Sequence, residues 1–249
     1  MNFQPTGLLS RGTILWLPGW SMPVAVFGRL QAHLPEFQHV GADYTTVETA
    51  EEMLALTENA ARRHGRVLIG GWSLGALLGL RLAAEGLAEG LVLFSGTDRF
   101  VRPDEERDRG WPEAYLRGMM TGIRKDREAV EAKFRGMLFT DADRQIGAEE
   151  LLPGAGSWST PALLAGLRVL REAECLAGMS RIACPTLLVH GTGDAVCPYG
   201  AALEMGERLR QSEITMLEGC GHAPFLGREA FLAEVIRSWW DERANRTSV

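Results

Sequence analysis

Three short motifs carry a serine, an aspartate and a histidine in an order that suits hydroxyl-based catalysis. Ser73 lies in G-W-S-L-G (71–75), Asp194 in H-G-T-G-D (190–194), and His222 in G-H-A-P (221–224). A serine hydroxyl attacks well only when a base removes its proton, and a carboxylate commonly orients that base. We therefore interpret Ser73 as a candidate nucleophile, His222 as its base and Asp194 as the carboxylate that orients the histidine.

The sequence around Ser73 predicts the sharp turn that such a serine needs. The apolar run V-L-I (67–69) is typical of a buried strand, and residues 74–84 have the pattern of a helix. Gly71 and Gly75 carry no side chains where strand and helix must approach closely. Taken alone, the motif is also compatible with a serine that caps a helix in a glycine-rich turn.

The chain contains five histidines, and their positions differ in how well they suit the role of base. His33, His39 and His64 precede or end elements before the serine motif, whereas His190 ends a predicted strand and is interpreted as a structural neighbour. Only His222 lies in a loop after the last predicted strand, where the base is expected.

Acyl transfer also needs donors for the negative charge that develops on the carbonyl oxygen. The backbone N–H of Leu74 follows the nucleophile, and L-P-G-W (17–20) after the first predicted strand offers that of Trp20. Trp20 and Trp72 are candidate walls of the substrate site, and an ordinary role as core aromatics remains open for both.

Strand and helix patterns alternate along most of the chain. Apolar runs predict strands at 13–17, 66–69, 90–94, 186–190 and 213–217, and helical patterns occupy 48–63, 74–85, 199–209 and 228–240. This alternation predicts a mostly parallel, doubly wound α/β sheet. Residues between 96 and 185 show only helical patterns, so we predict a core of 1–96 and 185–249 with a helical cap at 97–184.

Composition narrows the class of protein further. The chain has 249 residues and a formal net charge of −6, which argues against nucleic acid as the main partner. Its four cysteines are widely spaced without a metal-binding pattern, and the N-terminus lacks the basic start and apolar core of a secretory signal. We expect a cytoplasmic monomer with no membrane span, no metal and no cofactor.

These motifs together resemble the α/β-hydrolase family. Within it, the two tryptophans in L-P-G-W and G-W-S-L-G make the chain similar to the pimeloyl-[acyl-carrier protein] methyl ester esterases of biotin synthesis. The resemblance implies a serine carboxylesterase that cleaves a methyl ester of an acyl chain bound to acyl-carrier protein. Other hydrolases of the same fold, acting on small esters, thioesters, lipids or carbon–carbon bonds, share these catalytic residues, and a haloperoxidase-like activity is a weaker variant. A non-catalytic ligand-binding protein is a more distant alternative.

The resemblance also implies roles for residues of the cap. By position, the substrate-contacting stretch is Phe134, Arg135, Gly136, Met137 and Leu138, and the basic residues Lys133 and Arg144 would meet the carrier protein. Residues 117–135 hold six basic and three acidic side chains, so Arg124 and Arg127 are further candidates for contact with an acidic carrier. A solvated helix face with Glu/Arg pairs explains the same charges equally well.

Overall fold

The protein is built around one parallel sheet. The computed structural model describes the backbone of residues 11–246 and the side chains of residues 11–243. The N-terminal stretch that lacks a secretory-signal pattern, residues 1–12, therefore lies outside the described residues except for Arg11 and Gly12. The strands are β1 (Thr13–Leu17), β2 (Gln38–Gly41), β3 (Val67–Trp72), β4 (Ala88–Phe94), β5 (Thr186–Gly191) and β6 (Ser212–Leu217). They pair in the order β2-β1-β3-β4-β5-β6, and every pairing is parallel.

Helices connect the strands and cover both faces of the sheet. They are α1 (Gly28–Ala32), α2 (Ala50–His64), α3 (Leu74–Ala84), α4 (Glu113–Lys125), α5 (Arg127–Gly136), α6 (Asp141–Gln145), α7 (Thr160–Glu172), α8 (Gly200–Arg208) and α9 (Glu229–Arg246). Right-handed crossovers put α1 on one face and α2, α3 and α8 on the other, because the strand order reverses after β2. The contacts of α1 with α9 and of α2 with α3 agree with this division. The predicted doubly wound α/β sheet is confirmed.

The sequence patterns did not predict β2, and they predicted that β3 ends at residue 69, whereas it ends at Trp72. Strand β2 lies at the edge of the sheet, and its four residues are exposed or half-buried, so it shows no buried apolar run. Strand β3 continues through Gly70 and Gly71, which are usually unfavourable in strands. The ring of Trp16 explains Gly70, since a Cβ there would lie 2.5 Å from the Trp16 Cε3 atom.

The residues between β4 and β5 form a separate helical layer, and we refer to residues 97–184 as the cap segment. It contains α4 to α7, and within it the described chain makes only two isolated bridges and no strand. Two indole N–H groups join it to the sheet domain: Trp20 donates to the Leu163 carbonyl at 2.8 Å, and Trp158 donates to the Met22 carbonyl at 2.9 Å. The cap segment therefore rests on the loop that follows β1.

Prolines of the cap segment mark the starts of two of its helices. Pro112 directly precedes α4, but Pro161 lies in the first turn of α7 and not between two helices. The first turn tolerates proline because its N–H groups have no partner within the helix.

Within residues 11–246, no helix is both long enough and apolar enough to cross a membrane.

Candidate active site

The turn between β3 and α3 holds Ser73 in an unusual backbone conformation. Its φ is 55° and its ψ is −114°, a backbone conformation that residues other than glycine rarely adopt. The glycines on either side are required by close contacts: a Cβ on Gly71 would lie 2.6 Å from the Gly75 carbonyl oxygen, and a Cβ on Gly75 would lie 1.9 Å from that of Leu17. These contacts fix α3 against β1 and β3 and present Ser73 at the strand ends.

Gly75→Ala is expected to destabilise the protein severely, by about 4 kcal/mol or more, because the new methyl group meets the backbone of β1 and not a movable side chain. Urea unfolding followed by circular dichroism measures this loss. Gly118→Ala in α4 is the matched control, since a Cβ there has open space and alanine favours helix by roughly 1 kcal/mol. Equal stability of the two variants would contradict the close contact at Gly75.

A buried carboxylate faces the candidate base. His222 Nδ1 lies 2.8 Å from Asp194 Oδ2 and 3.0 Å from Oδ1, and both side chains are buried. The backbone N–H groups of Val196 and Cys197 each donate to Oδ1 at 2.8 Å. These two bonds lock the carboxylate, so its other oxygen is the one that accepts best from the imidazole.

The same carboxylate has a second histidine beside it. Burial alone would raise the pKa of Asp194, but the charge of His222 and hydrogen bonds from His190 and His222 hold it well below its usual range. His190 Nε2 lies 2.7 Å from the Cys197 carbonyl oxygen and 3.4 Å from Asp194 Oδ2. Because a carbonyl can only accept, His190 carries a proton on Nε2 and supports the loop around Asp194.

The other nitrogen of the His222 ring is unpaired. Nε2 is buried and has no hydrogen-bond partner among the described residues. The Trp72 indole N–H donates to the His222 carbonyl at 2.7 Å, and the two rings lie 5.8 Å apart. Because Trp72 directly precedes Ser73, this bond holds the histidine loop against the serine turn.

The two predicted oxyanion donors, the backbone N–H groups of Leu74 and Trp20, follow strands β3 and β1. Leu74 is the first residue of α3, and Trp20 follows β1, whose Leu17 pairs with Gly71 of β3. Within the described part of the chain, neither the Leu74 nor the Trp20 amide donates a hydrogen bond. The N-terminus of a helix attracts negative charge, so α3 adds to the positive potential at this point.

A very small apolar pocket of about 10 Å³, the space of about one water molecule, lies at Ser73. It is lined by Trp20, Ser73, Phe100, Trp111, Leu116, Met119, Phe134, Leu167, Leu170 and Val196. Trp20 and Phe134 meet edge to face with ring centres 5.0 Å apart, so the sheet domain and α5 share one wall. The space beside Ser73 is therefore small and enclosed almost entirely by apolar side chains.

A larger groove continues outward between α4 and α5, and we refer to it as the cap groove. Trp111, Met119 and Phe134 line both the pocket and this groove. Its remaining lining is mostly apolar, and Lys133 and Arg107 are the charged residues along it. The cap groove therefore lies directly beside the small pocket at Ser73, with these three side chains between them.

The predicted substrate residues of the cap segment have different surroundings. Phe134 and Met137 line the cap groove. Leu138 is buried, and its carbonyl accepts the backbone N–H of His222 at 2.8 Å. Trp72 does not line the pocket over Ser73 and instead contacts the His222 loop.

Arg135 and Gly136 lie apart from the two cavities. The Arg135 guanidinium donates to the Pro153 carbonyl, which anchors it within the cap segment. Gly136 is exposed, and its carbonyl accepts from the Arg144 guanidinium at 3.0 Å. Neither residue is among those that line the pocket or the cap groove.

The four predicted carrier contacts have different surroundings. Lys133 is exposed along the cap groove, and Arg124 is exposed in a depression with three other arginines, Arg117, Arg168 and Arg171. Arg127 forms an ion pair with buried Glu131 at 3.0 Å. Arg144 pairs with Glu149 at 3.0 Å.

Sequence reasoning missed several residues of this region. Trp111 and Met119 line both the pocket at Ser73 and the cap groove. The helical spacing of Leu116, Met119 and Ile123 was a usable signal for α4. Glu131 and Asp143 are buried carboxylates of the cap segment, which no sequence pattern distinguishes from solvated ones. No group of three or more metal-ligating side chains occurs within the described residues.

Fold and site geometry together define the class of this protein. The family model "Alpha/beta hydrolase family" matches residues 14–235, and the chain belongs to that family. Its curated relatives include two proteins named pimeloyl-[acyl-carrier protein] methyl ester esterase. The relative from Nitrosomonas europaea is 28% identical over 86% of this chain and 89% of its own, and the relative from Neisseria meningitidis is 31% identical over 92% of this chain and 78% of its own. An esterase structure from Exiguobacterium antarcticum has a similar fold, with a TM-score of 0.79, 21% identity and coverage of 93% of this chain and 92% of that chain.

Proposed function

We propose that this protein is a serine carboxylesterase that removes a methyl group from an esterified acyl chain held on acyl-carrier protein. The observation that carries the proposal is the buried His222–Asp194 pair, with an unpaired His222 Nε2, next to the turn that holds Ser73. The names of the curated relatives support the choice of ester.

In the proposed reaction, His222 Nε2 accepts the Ser73 hydroxyl proton while the serine oxygen attacks the ester carbonyl carbon. Asp194 stabilises the resulting imidazolium through Nδ1. When the tetrahedral intermediate collapses, the carbon–alkoxy bond breaks and the imidazolium gives its proton to the departing methanol. Water then attacks the acyl-enzyme with His222 again as base, which releases the carboxylic acid and restores Ser73.

The Trp20 and Leu74 amides are the proposed donors to the oxyanion of the tetrahedral intermediate. Both N–H groups are free of other described acceptors, and Leu74 lies at the positive end of α3. Donors placed for the transition state stabilise it more than the ground state, which is the requirement for faster chemistry.

The pocket and the cap groove support an acyl substrate whose far end stays outside. The apolar side chains around Ser73 suit contact with the methyl ester end, and the larger apolar cap groove suits the rest of the chain. A thioester-linked carrier protein would then remain at the outer end of the groove. Lys133 is the one of the four predicted carrier contacts that lines this groove, and its charge complements an acidic carrier.

The small size of the pocket also supports a second candidate, a general hydrolase of small esters that needs no carrier. The two functions differ in how strongly the carrier improves the substrate. We therefore expect kcat/KM for a methyl pimeloyl ester on acyl-carrier protein to exceed that for free dimethyl pimelate. Equal values would favour the general hydrolase, and no Ser73-dependent release of methanol from either ester would contradict both.

Lys133→Glu tests the proposed docking end. We expect about a tenfold loss of kcat/KM for the carrier-bound ester, with a weaker effect at high salt, because a charge at the rim of an interface acts mainly on association. Hydrolysis of p-nitrophenyl acetate should not change. Lys125→Glu is the matched control, since Lys125 is exposed at the end of α4 and does not line the groove. Equal losses in the two variants would contradict docking at Lys133.

A further inference from the structure

A carboxylate of the cap segment binds the loop that carries His222. Asp143, in α6, is 2% exposed, and its Oδ2 accepts the backbone N–H of Gly221 at 2.7 Å. Its Oδ1 accepts from the Arg228 guanidinium at 2.7 Å. The Asp143 side chain therefore forms hydrogen bonds on both sides of His222: with Gly221, one residue before it, and with Arg228, six residues after it.

The turn between α5 and α6 adds two more contacts to the same loop. The Leu138 carbonyl accepts the His222 N–H at 2.8 Å, and the Thr140 hydroxyl lies 2.7 Å from the Gly219 carbonyl oxygen. On the other side, the His222 carbonyl accepts from the Trp72 indole. The backbone of the base is thus held by the cap segment at its N–H and by the serine turn at its carbonyl.

Gly221 packs so closely against the cap segment that a side chain would not fit there. A Cβ on Gly221 would lie 2.5 Å from the Leu138 carbonyl oxygen and 2.9 Å from Asp143 Oδ2. Burial would raise the pKa of Asp143, but hydrogen bonds from Thr140, Arg228 and Gly221 outweigh it and lower that pKa below its usual value. Asp143 is therefore ionised at neutral pH and acts as a strong acceptor for the Gly221 amide.

We infer that Asp143 is a positioning residue for the reaction: it holds the Gly221 peptide so that the His222 ring is aimed at both Ser73 and Asp194. This inference rests on the proposed function for the role of His222 as base. Asp143 touches neither the reacting atoms nor the pocket over Ser73. Asp143 acts on His222 through the backbone of Gly221. Removing the Asp143 carboxylate should therefore affect the chemical step more than substrate binding.

Two substitutions of Asp143 separate the Gly221 bond from the ion pair with Arg228. In Asp143→Asn the amide oxygen can still accept from Gly221 in the Oδ2 position, while the Arg228 pairing is lost. Asp143→Ala removes both. Asp141→Ala is the matched control, because Asp141 lies in the same helix with its side chain 98% exposed.

We expect Asp143→Ala to lower kcat for p-nitrophenyl butyrate about 100-fold with KM within about twofold, because displacing a catalytic group by about 1 Å has effects of this size. Asp143→Asn should restore kcat to within about fivefold of the parent, in line with retained positioning of the base. Asp141→Ala should match the parent. Thermal unfolding of each variant identifies any that fails to fold at the assay temperature.

A measurement independent of turnover completes the test. The proton on His222 Nδ1, bonded to Asp194, gives a downfield resonance that we expect in the parent and in Asp143→Asn and expect to be broadened or lost in Asp143→Ala. The inference is overturned if Asp143→Ala keeps both kcat and this resonance, or if folded Asp143→Asn loses as much as Asp143→Ala. If instead the parent shows no Ser73-dependent hydrolysis, the proposed function fails and the resonance alone decides the positioning role.

Discussion

Ser73→Ala is expected to lower kcat/KM for p-nitrophenyl butyrate by about three to six powers of ten, because the substitution removes the oxygen on which the proposed acyl-enzyme forms. The residual rate should come from binding and from the Trp20 and Leu74 amides. Steady-state hydrolysis measures the loss, and mass spectrometry after a fluorophosphonate probe measures the absence of a labelled serine. Hydrolysis within tenfold of the parent would refute Ser73 as the nucleophile.

The backbone at Ser73 allows stability and activity to be separated. Because its φ is 55°, Ser73→Gly should remove strain and raise the free energy of unfolding by about 1 kcal/mol while abolishing hydrolysis. Ser95→Ala is the matched control: Ser95 also has a positive φ of 46°, is buried, and its hydroxyl has no hydrogen-bond partner among the described residues. Loss of activity in Ser95→Ala would show that the assay reports general damage to the turns.

Asp194→Asn is expected to lower kcat about 10⁴-fold with little change in fold. The Val196 and Cys197 amides both donate to Asp194 Oδ1, so the oxygen of the new side chain takes that position. Its NH₂ group then faces His222 Nδ1, where the carboxylate oxygen lay at 2.8 Å. An NH₂ group can only donate, so the imidazole proton moves to Nε2 and the ring can no longer accept the Ser73 proton.

The matched control for this change is Asp98→Asn. Asp98 is also fully buried, where it pairs with Arg102 and Arg208 and not with a histidine. We expect Asp98→Asn to lower the melting temperature and to retain kcat, whereas Asp194→Asn should lose kcat with little change in melting temperature. A kcat within tenfold of the parent in folded Asp194→Asn would contradict the role of Asp194 in setting the histidine tautomer.

The candidate reactive groups were predictable because they depend on local sequence and on strand order. Ser73, Asp194 and His222 each follow a strand, and the carboxyl ends of parallel strands meet at one edge of a sheet. The sequence also predicted why Gly71 and Gly75 are small, since a turn from strand to helix brings two backbones together. The edge strand β2 was missed because an exposed strand leaves no apolar run.

The contacts of the cap segment were less predictable from the sequence than those of the sheet. Its helices were visible as apolar periodicity, but periodicity does not tell which charged side chains turn inward. Arg127 was a candidate for contact with a partner, yet it pairs with Glu131, a buried carboxylate that accepts from the Ser21 hydroxyl at 2.5 Å. Glu131 lies only four residues after Arg127, but Ser21 lies 110 residues before Glu131, so only the packed structure shows that this pair is buried.

The amino-acid sequence by itself determined the parallel sheet, the family and the three candidate catalytic residues, because each depends on short motifs at strand ends. Only the tertiary structure decided how the His222 loop is held, where the cap groove lies and which of the predicted basic residues lines it. Asp143 and Gly221 are 78 positions apart, and a 2.7 Å hydrogen bond between them depends on how the cap segment docks on the sheet. Contacts of this kind arise from packing between elements, and no local pattern encodes them.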